Sequence, residues 1–100
     1  MPKKYSIKFL PRAKSELDEI SNWIIKDCND PWAADIVIRK ITQKINELTI
    51  FPNGHPLVES ADMKENSLRM THVDQYNIFF KVHDNFVVIY SIMHAHQKIG

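Results

Sequence analysis

The sequence is short of the residue types that mark several protein classes. It has one cysteine, Cys28, in 100 residues. A single thiol makes no internal disulfide and no Cys-rich metal site, so the expected compartment is a reducing cytoplasm. Two Gly and five Pro exclude collagen-like, elastic and low-complexity chains. No apolar run approaches the roughly 18 residues that cross a bilayer, so no membrane association is expected. The start, Met-Pro-Lys-Lys-Tyr, is basic but lacks the apolar stretch of a secretory signal. An excess of one charge sign is also missing. Lys+Arg 13 against Asp+Glu 12 leaves +1 with His neutral, which offers no bulk-charge argument for nucleic acid.

What is there is ordinary globular composition, 44% hydrophobic and 25% charged. The length suits a single domain over 1–100, with enough chain to bury one core. No repeat or linker interrupts it. Four of the five His (His72, His83, His94 and His96) lie near the C-terminal end.

Residues 4–10 alternate, with Tyr5, Ile7 and Phe9 on one side, which predicts a half-buried strand. Pro11 closes it and suits the first turn of a helix. From Arg12 to about Cys28, apolar residues recur at Ala13, Leu17, Ile20, Ile24 and Cys28, one helical stripe widened by Trp23. Cys28 on this stripe reads as a core residue. Lys14 and Asp18, four apart, are placed for a surface pair. Asp30 can cap a second helix that has Pro31 in its first turn. That helix runs to about Leu48 on Ala34, Ile38, Ile41, Ile45 and Leu48, supported by Val37. The short connection implies an antiparallel helical hairpin.

Phe51-Pro52-Asn53-Gly54-His55-Pro56 is a firm turn, and residues 57–66 read as polar and irregular. The period then returns to two in 68–73, 76–83 and 86–93, a three-stranded meander. A two-residue loop at Asp84-Asn85 sets Val82 opposite Val87, Phe80 opposite Ile89 and Ile78 opposite Ser91, with Tyr76 and Met93 ending that face. Asn77, Phe79, Lys81 and His83 share the other face with Phe86, Val88, Tyr90 and Ile92. Both faces are apolar. One takes the helices, and the other calls for a partner. The expected fold is α+β: an N-terminal strand, a two-helix hairpin, then a meander, in one mainly antiparallel four-stranded sheet with the helices on one face.

This layout resembles the RelE/ParE toxins of bacterial type II toxin–antitoxin (plasmid stabilisation) systems. Tyr76-Asn77-Ile78-Phe79-Phe80-Lys81-Val82 is similar to the family's Tyr-x-Ile-Phe-Tyr-Arg-Val strand. Leu68-Arg69 stands where an Arg often leads into the meander. Ile92-Met93-His94-Ala95-His96-Gln97 is similar to the closing Ile-Leu-His-x-Arg-Gln segment, and 7–17 to the N-terminal Ile-x-Phe-x-Pro-x-Ala pattern with its Asp/Glu-Leu. The sequence departs at Phe80 (usually Tyr), Lys81 and His96 (usually Arg) and Lys98 (often Asp). Arg-to-Lys removes a planar fork suited to phosphate.

The resemblance implies a toxin neutralised by a cognate antitoxin, in a possible hetero-oligomer, with no cofactor. It leaves two targets open. RelE-like members cleave messenger RNA on the ribosome; ParE-like members block DNA gyrase. RNA cleavage needs a base for the ribose 2′-hydroxyl, a cation for the phosphate and an acid for the leaving oxygen. For that chemistry the candidates are Arg69 and Lys81 as cations, His94 and His96 as acid and base, and Tyr90 as a stacking or proton-donating ring. Each has a plainer reading. Arg69 can pair with an acid, Lys81 can be a solvated strand residue, His94 can make a hydrogen bond at the strand end, and His96 can belong to a loose tail. Two His two apart are too few for a metal site. His72 and His83 read as exposed strand residues. The long helices, modest charge and incomplete cationic set favour the ParE-like branch. A toxin fold serving only as a binding module is the third reading.

Overall fold

The computed structural model describes residues 4–58 and 67–95. Strand β1 (Ser6–Phe9) leads into helix α1 (Pro11–Asp27) and helix α2 (Pro31–Glu47), then a single 3-10 turn at Pro52–Gly54. Four further strands follow: β2 (Leu57–Val58), β3 (Leu68–Val73), β4 (Tyr76–His83) and β5 (Phe86–His94). They form one mixed sheet in the order β1-β5-β4-β3-β2. β1 runs parallel to β5 and the other pairings are antiparallel. The expected four strands are present, and β2 adds a fifth. The polar composition of 57–66 predicts irregular chain, yet Leu57 and Val58 pair with Arg69 and Leu68. The rest of that stretch, 59–66, lies outside the described residues.

Local chemistry accounts for the element ends. Pro opens both helices. The Asp30 carboxylate accepts a hydrogen bond from the Ala33 backbone N–H at 3.0 Å, capping α2. Both meander turns have two residues, and each begins with an Asp in the left-handed region, Asp74 at φ 52° and Asp84 at φ 53°. Asp tolerates that conformation because its short polar side chain bonds locally.

The main core joins the helices to one sheet face. Ala13, Ile41, Ile45 and Leu48 pack against Tyr76, Ile78, Phe80, Val87, Ile89 and Ile92. Both helical stripes are as expected except at two positions: Trp23, expected to widen the α1 stripe, is 54% exposed outside the core, and Cys28 also differs. Cys28 is exposed, not core, because α1 ends at Asp27 and Cys28 turns away as its cap residue. The ion pair on α1 is Arg12–Glu16 at 3.4 Å, not Lys14–Asp18.

A bulge corrects the strand register. Val82 faces Val87 and Phe80 faces Ile89 as expected, but Phe79 then faces Ser91 and Ile78 faces Ile92. Tyr90 is the extra residue. Beyond it the two sides of β5 exchange. Ile92 enters the main core, and Met93 joins the second cluster of Leu68, Phe79, Val58, Met70 and Tyr90.

Candidate functional site

The sheet divides the candidate residues. Arg69 and His94 are paired with Phe80 and Tyr76, both in the main core, so they belong to the helix side. Lys81, between core-facing Phe80 and Val82, lies on the opposite face, where Tyr90 packs in the second cluster. Arg69 and His94 are two strands apart and offset by four residues along β4. That separation is on the order of 15 Å. His96 lies outside the described residues, as do Gln97 and Lys98.

Arg69 has a structural task. Its Nη1 donates to the carbonyl oxygens of Asn53 at 3.1 Å and His55 at 2.6 Å. One guanidinium nitrogen thus ties the turn after α2 to β3. The His55 ring meets Phe80 edge-on, with centroids 5.6 Å apart. Burial lowers the His55 pKa below 6.5, and the nearby Lys44 and Arg69 charges lower it further against a smaller opposing effect of Glu47. The turn is strained at Phe51, a 74% exposed aromatic residue with φ 54°.

His94 Nε2 lies 2.9 Å from Gln75 Oε1, and its ring meets Tyr76 edge-on at 5.4 Å. Burial raises the Tyr76 pKa above 10.0, so its phenol stays neutral near pH 7. His72 and His83 are exposed, as expected.

On the helix side, beside His94, a cleft of about 530 Å³ opens between α1 and the end of the sheet. Glu16, Glu19, Ile20 and Trp23 of α1 form one wall, and Tyr76, Ile92 and His94 form the other. Ser91 Oγ donates to Glu16, at 2.9 Å to Oε1 and 3.1 Å to Oε2, and the Ile92 N–H donates to Oε1 at 3.1 Å. The bulge therefore leaves no strand N–H unpaired at Ile92. The sequence reading missed this cleft. Its signal was present in the i, i+3, i+4, i+7 spacing of Glu16, Glu19, Ile20 and Trp23, one helix flank beside the core stripe.

The open sheet face combines Phe86, Val88 and Tyr90 with Lys81. The Lys8 ammonium sits 3.9 Å from the centre of the Phe86 ring. Phe79, expected to need a partner's cover, is only 3% exposed because strand neighbours already bury it. Among the described residues, no group of three or more His, Cys, Asp or Glu is placed to hold a metal ion. None of the described helices is long and apolar enough to cross a membrane.

The fold is shared with chains from solved toxin–antitoxin systems. A chain from the chromosomal ParDE toxin–antitoxin system of P. aeruginosa superposes with a TM-score of 0.75 at 18% identity, covering 94% of this chain and 99% of that one. A chain of the RelBE2 toxin–antitoxin complex of Mycobacterium tuberculosis gives 0.66 at 13% identity, covering 91% and 98%. No curated protein matches at the level of sequence. The family model for the ParE toxin of type II toxin–antitoxin systems, parDE, matches residues 7–99. With the strand–hairpin–meander order and the match over nearly its whole length, this chain belongs to the ParE toxin family.

Proposed function

We propose that this toxin acts in the ParE-like manner, by binding and blocking DNA gyrase, and that a cognate antitoxin protein neutralises it. The observation that supports this reading is the dispersal, among the described residues, of the groups an RNA-cleaving centre needs. Arg69 is committed to two backbone carbonyls. His94 packs on the helix side against Tyr76, while Lys81 and Tyr90 belong to the other face. General acid–base catalysis requires acid, base and cation within hydrogen-bond reach of one phosphodiester. Arg69 and His94, on the order of 15 Å apart, do not meet at one bond.

Two measurements test the proposal. Purified protein added to gyrase and relaxed plasmid is expected to inhibit supercoiling, and induction without antitoxin is expected to cause filamentation with DNA damage. Incubation with translating ribosomes is expected to leave messages intact. Codon-positioned cuts that vanish in His94→Ala would instead establish RelE-like cleavage. Normal growth with abundant soluble protein would leave only a binding module.

The antitoxin is expected to use surfaces that this chain leaves open. The relatives above were solved as ParDE and RelBE2 systems. Here Phe86, Val88 and Tyr90 form a half-exposed apolar strip on the sheet face away from the helices. Co-purification of tagged toxin with the product of the adjoining reading frame tests the pairing.

A further inference from the structure

The geometry points to the cleft between α1 and the end of β5 as a receptor for an arginine side chain on a segment of the antitoxin. This inference rests on the antitoxin reading and adds to it the chemistry of one contact. Ile20, Ile92 and the Tyr76 ring supply apolar surface for a side-chain stem, and Trp23, 54% exposed, supplies an open indole face. Glu16 and Glu19 supply the negative charge; among the described residues no Lys or Arg lines the cleft, and His94 is its one basic lining group. Arg12 pairs with Glu16 at 3.4 Å, so the carboxylate left for a ligand among the described residues is Glu19.

The two carboxylates have different duties. Glu16 is occupied by Ser91, the Ile92 N–H and the Arg12 guanidinium at the rim. Glu19, one turn along α1 and exposed, makes no hydrogen bond or ion pair among the described residues. It stands four residues before Trp23, so carboxylate and indole are neighbours on one flank of the helix. A guanidinium fits this pair better than an ammonium. Its plane stacks on the indole while its N–H edge meets a carboxylate, and it is more weakly hydrated. The charge complementarity and apolar floor favour a basic side chain presented by a polypeptide. A simple inorganic cation, with no stem to bury and no plane to stack, gains only the charge of one exposed carboxylate, so the cleft favours an arginine side chain over such an ion.

The first test is antitoxin-free. N-acetyl-arginine amide is titrated into isotope-labelled protein, with the neutral isostere N-acetyl-citrulline amide as control. Saturable shifts of the Trp23 indole N–H and the Glu19 side chain are expected with the arginine amide alone. No shift, or equal shifts with both probes, would overturn the inference. The second test measures binding of the adjoining gene's product to the full-length toxin. Glu19→Gln and Trp23→Ala, both at exposed positions, are each expected to weaken it by about tenfold, with melting temperatures unchanged. If the wild-type pair binds and neither variant weakens it, the arginine contact is wrong while the antitoxin reading stands. If the wild-type pair does not bind, the antitoxin reading fails, and the arginine receptor on an antitoxin falls with it.

Discussion

Glu16 on α1 accepts hydrogen bonds from the hydroxyl of Ser91 on β5, 75 residues away in sequence. Ser91 is fully buried and the Glu16 side chain is 19% exposed. The carboxylate also takes the Ile92 N–H, which the bulge at Tyr90 turns toward the helix. Replacing Glu16 by Ala strands a buried hydroxyl and a backbone donor, an expected loss of about 2 kcal/mol. Glu16→Gln keeps an acceptor and is expected to lose less than half as much. Urea unfolding curves of the three proteins decide this.

Arg69→Ala is expected to destabilise the protein by about 1–2 kcal/mol, because the Asn53 and His55 carbonyls lose a charged donor. Arg69→Lys is expected to recover only part of this, since an ammonium lacks the guanidinium's fixed fork. Hydrogen exchange at Gly54 and His55 is expected to accelerate in both variants. Unchanged exchange would mean that the turn holds without Arg69.

His55 titrates with a lowered pKa, from burial first and then from Lys44 and Arg69. For a base, this makes the folded state hold its proton less tightly than the unfolded state. The stabilisation is complete above the ordinary value of 6.5 and is lost as pH falls through the lower folded value. Thermal melts between pH 7.5 and about pH 5 are therefore expected to show a falling Tm. His55→Gln is expected to flatten part of that fall.

The bulge makes a paired prediction. Ile92 is 2% exposed in the main core, and Met93 is half-buried on the opposite side. Ile92→Ala is expected to cost about 3 kcal/mol, within the usual range for a buried aliphatic truncation, and Met93→Ala about 1 kcal/mol. An unbulged strand would reverse the order, so chemical denaturation of both variants reads the register directly.

Cys28 is exposed at the end of α1. The native protein is expected to take up one maleimide without denaturant and to keep its Tm. A thiol that reacts only after unfolding would restore Cys28 to the core.

Alternation and helical spacing were enough to place both helices, the N-terminal strand and the meander. Asp30 and Pro31 marked the hairpin between the helices, and Asp84-Asn85 marked the last turn. These features depend on contacts a few residues apart, which the chain writes locally. The register beyond Phe80, the outward turn of Cys28 and the short strand β2 could not be read in that way. A bulge alters no residue type, and a two-residue strand has no period. The candidate site was the least legible. Arg69, Lys81, Tyr90 and His94 are visible in the sequence as residues capable of chemistry, but their faces depend on how three strands, β3, β4 and β5, pair. Glu16 has its partners only because the sheet brings Ser91 and the Ile92 N–H beneath it. Sequence by itself determined which segments bury an apolar side, because burial follows from local periodicity. Only the tertiary structure decided which polar groups meet, because hydrogen bonds and ion pairs act over a few ångströms between residues far apart along the chain.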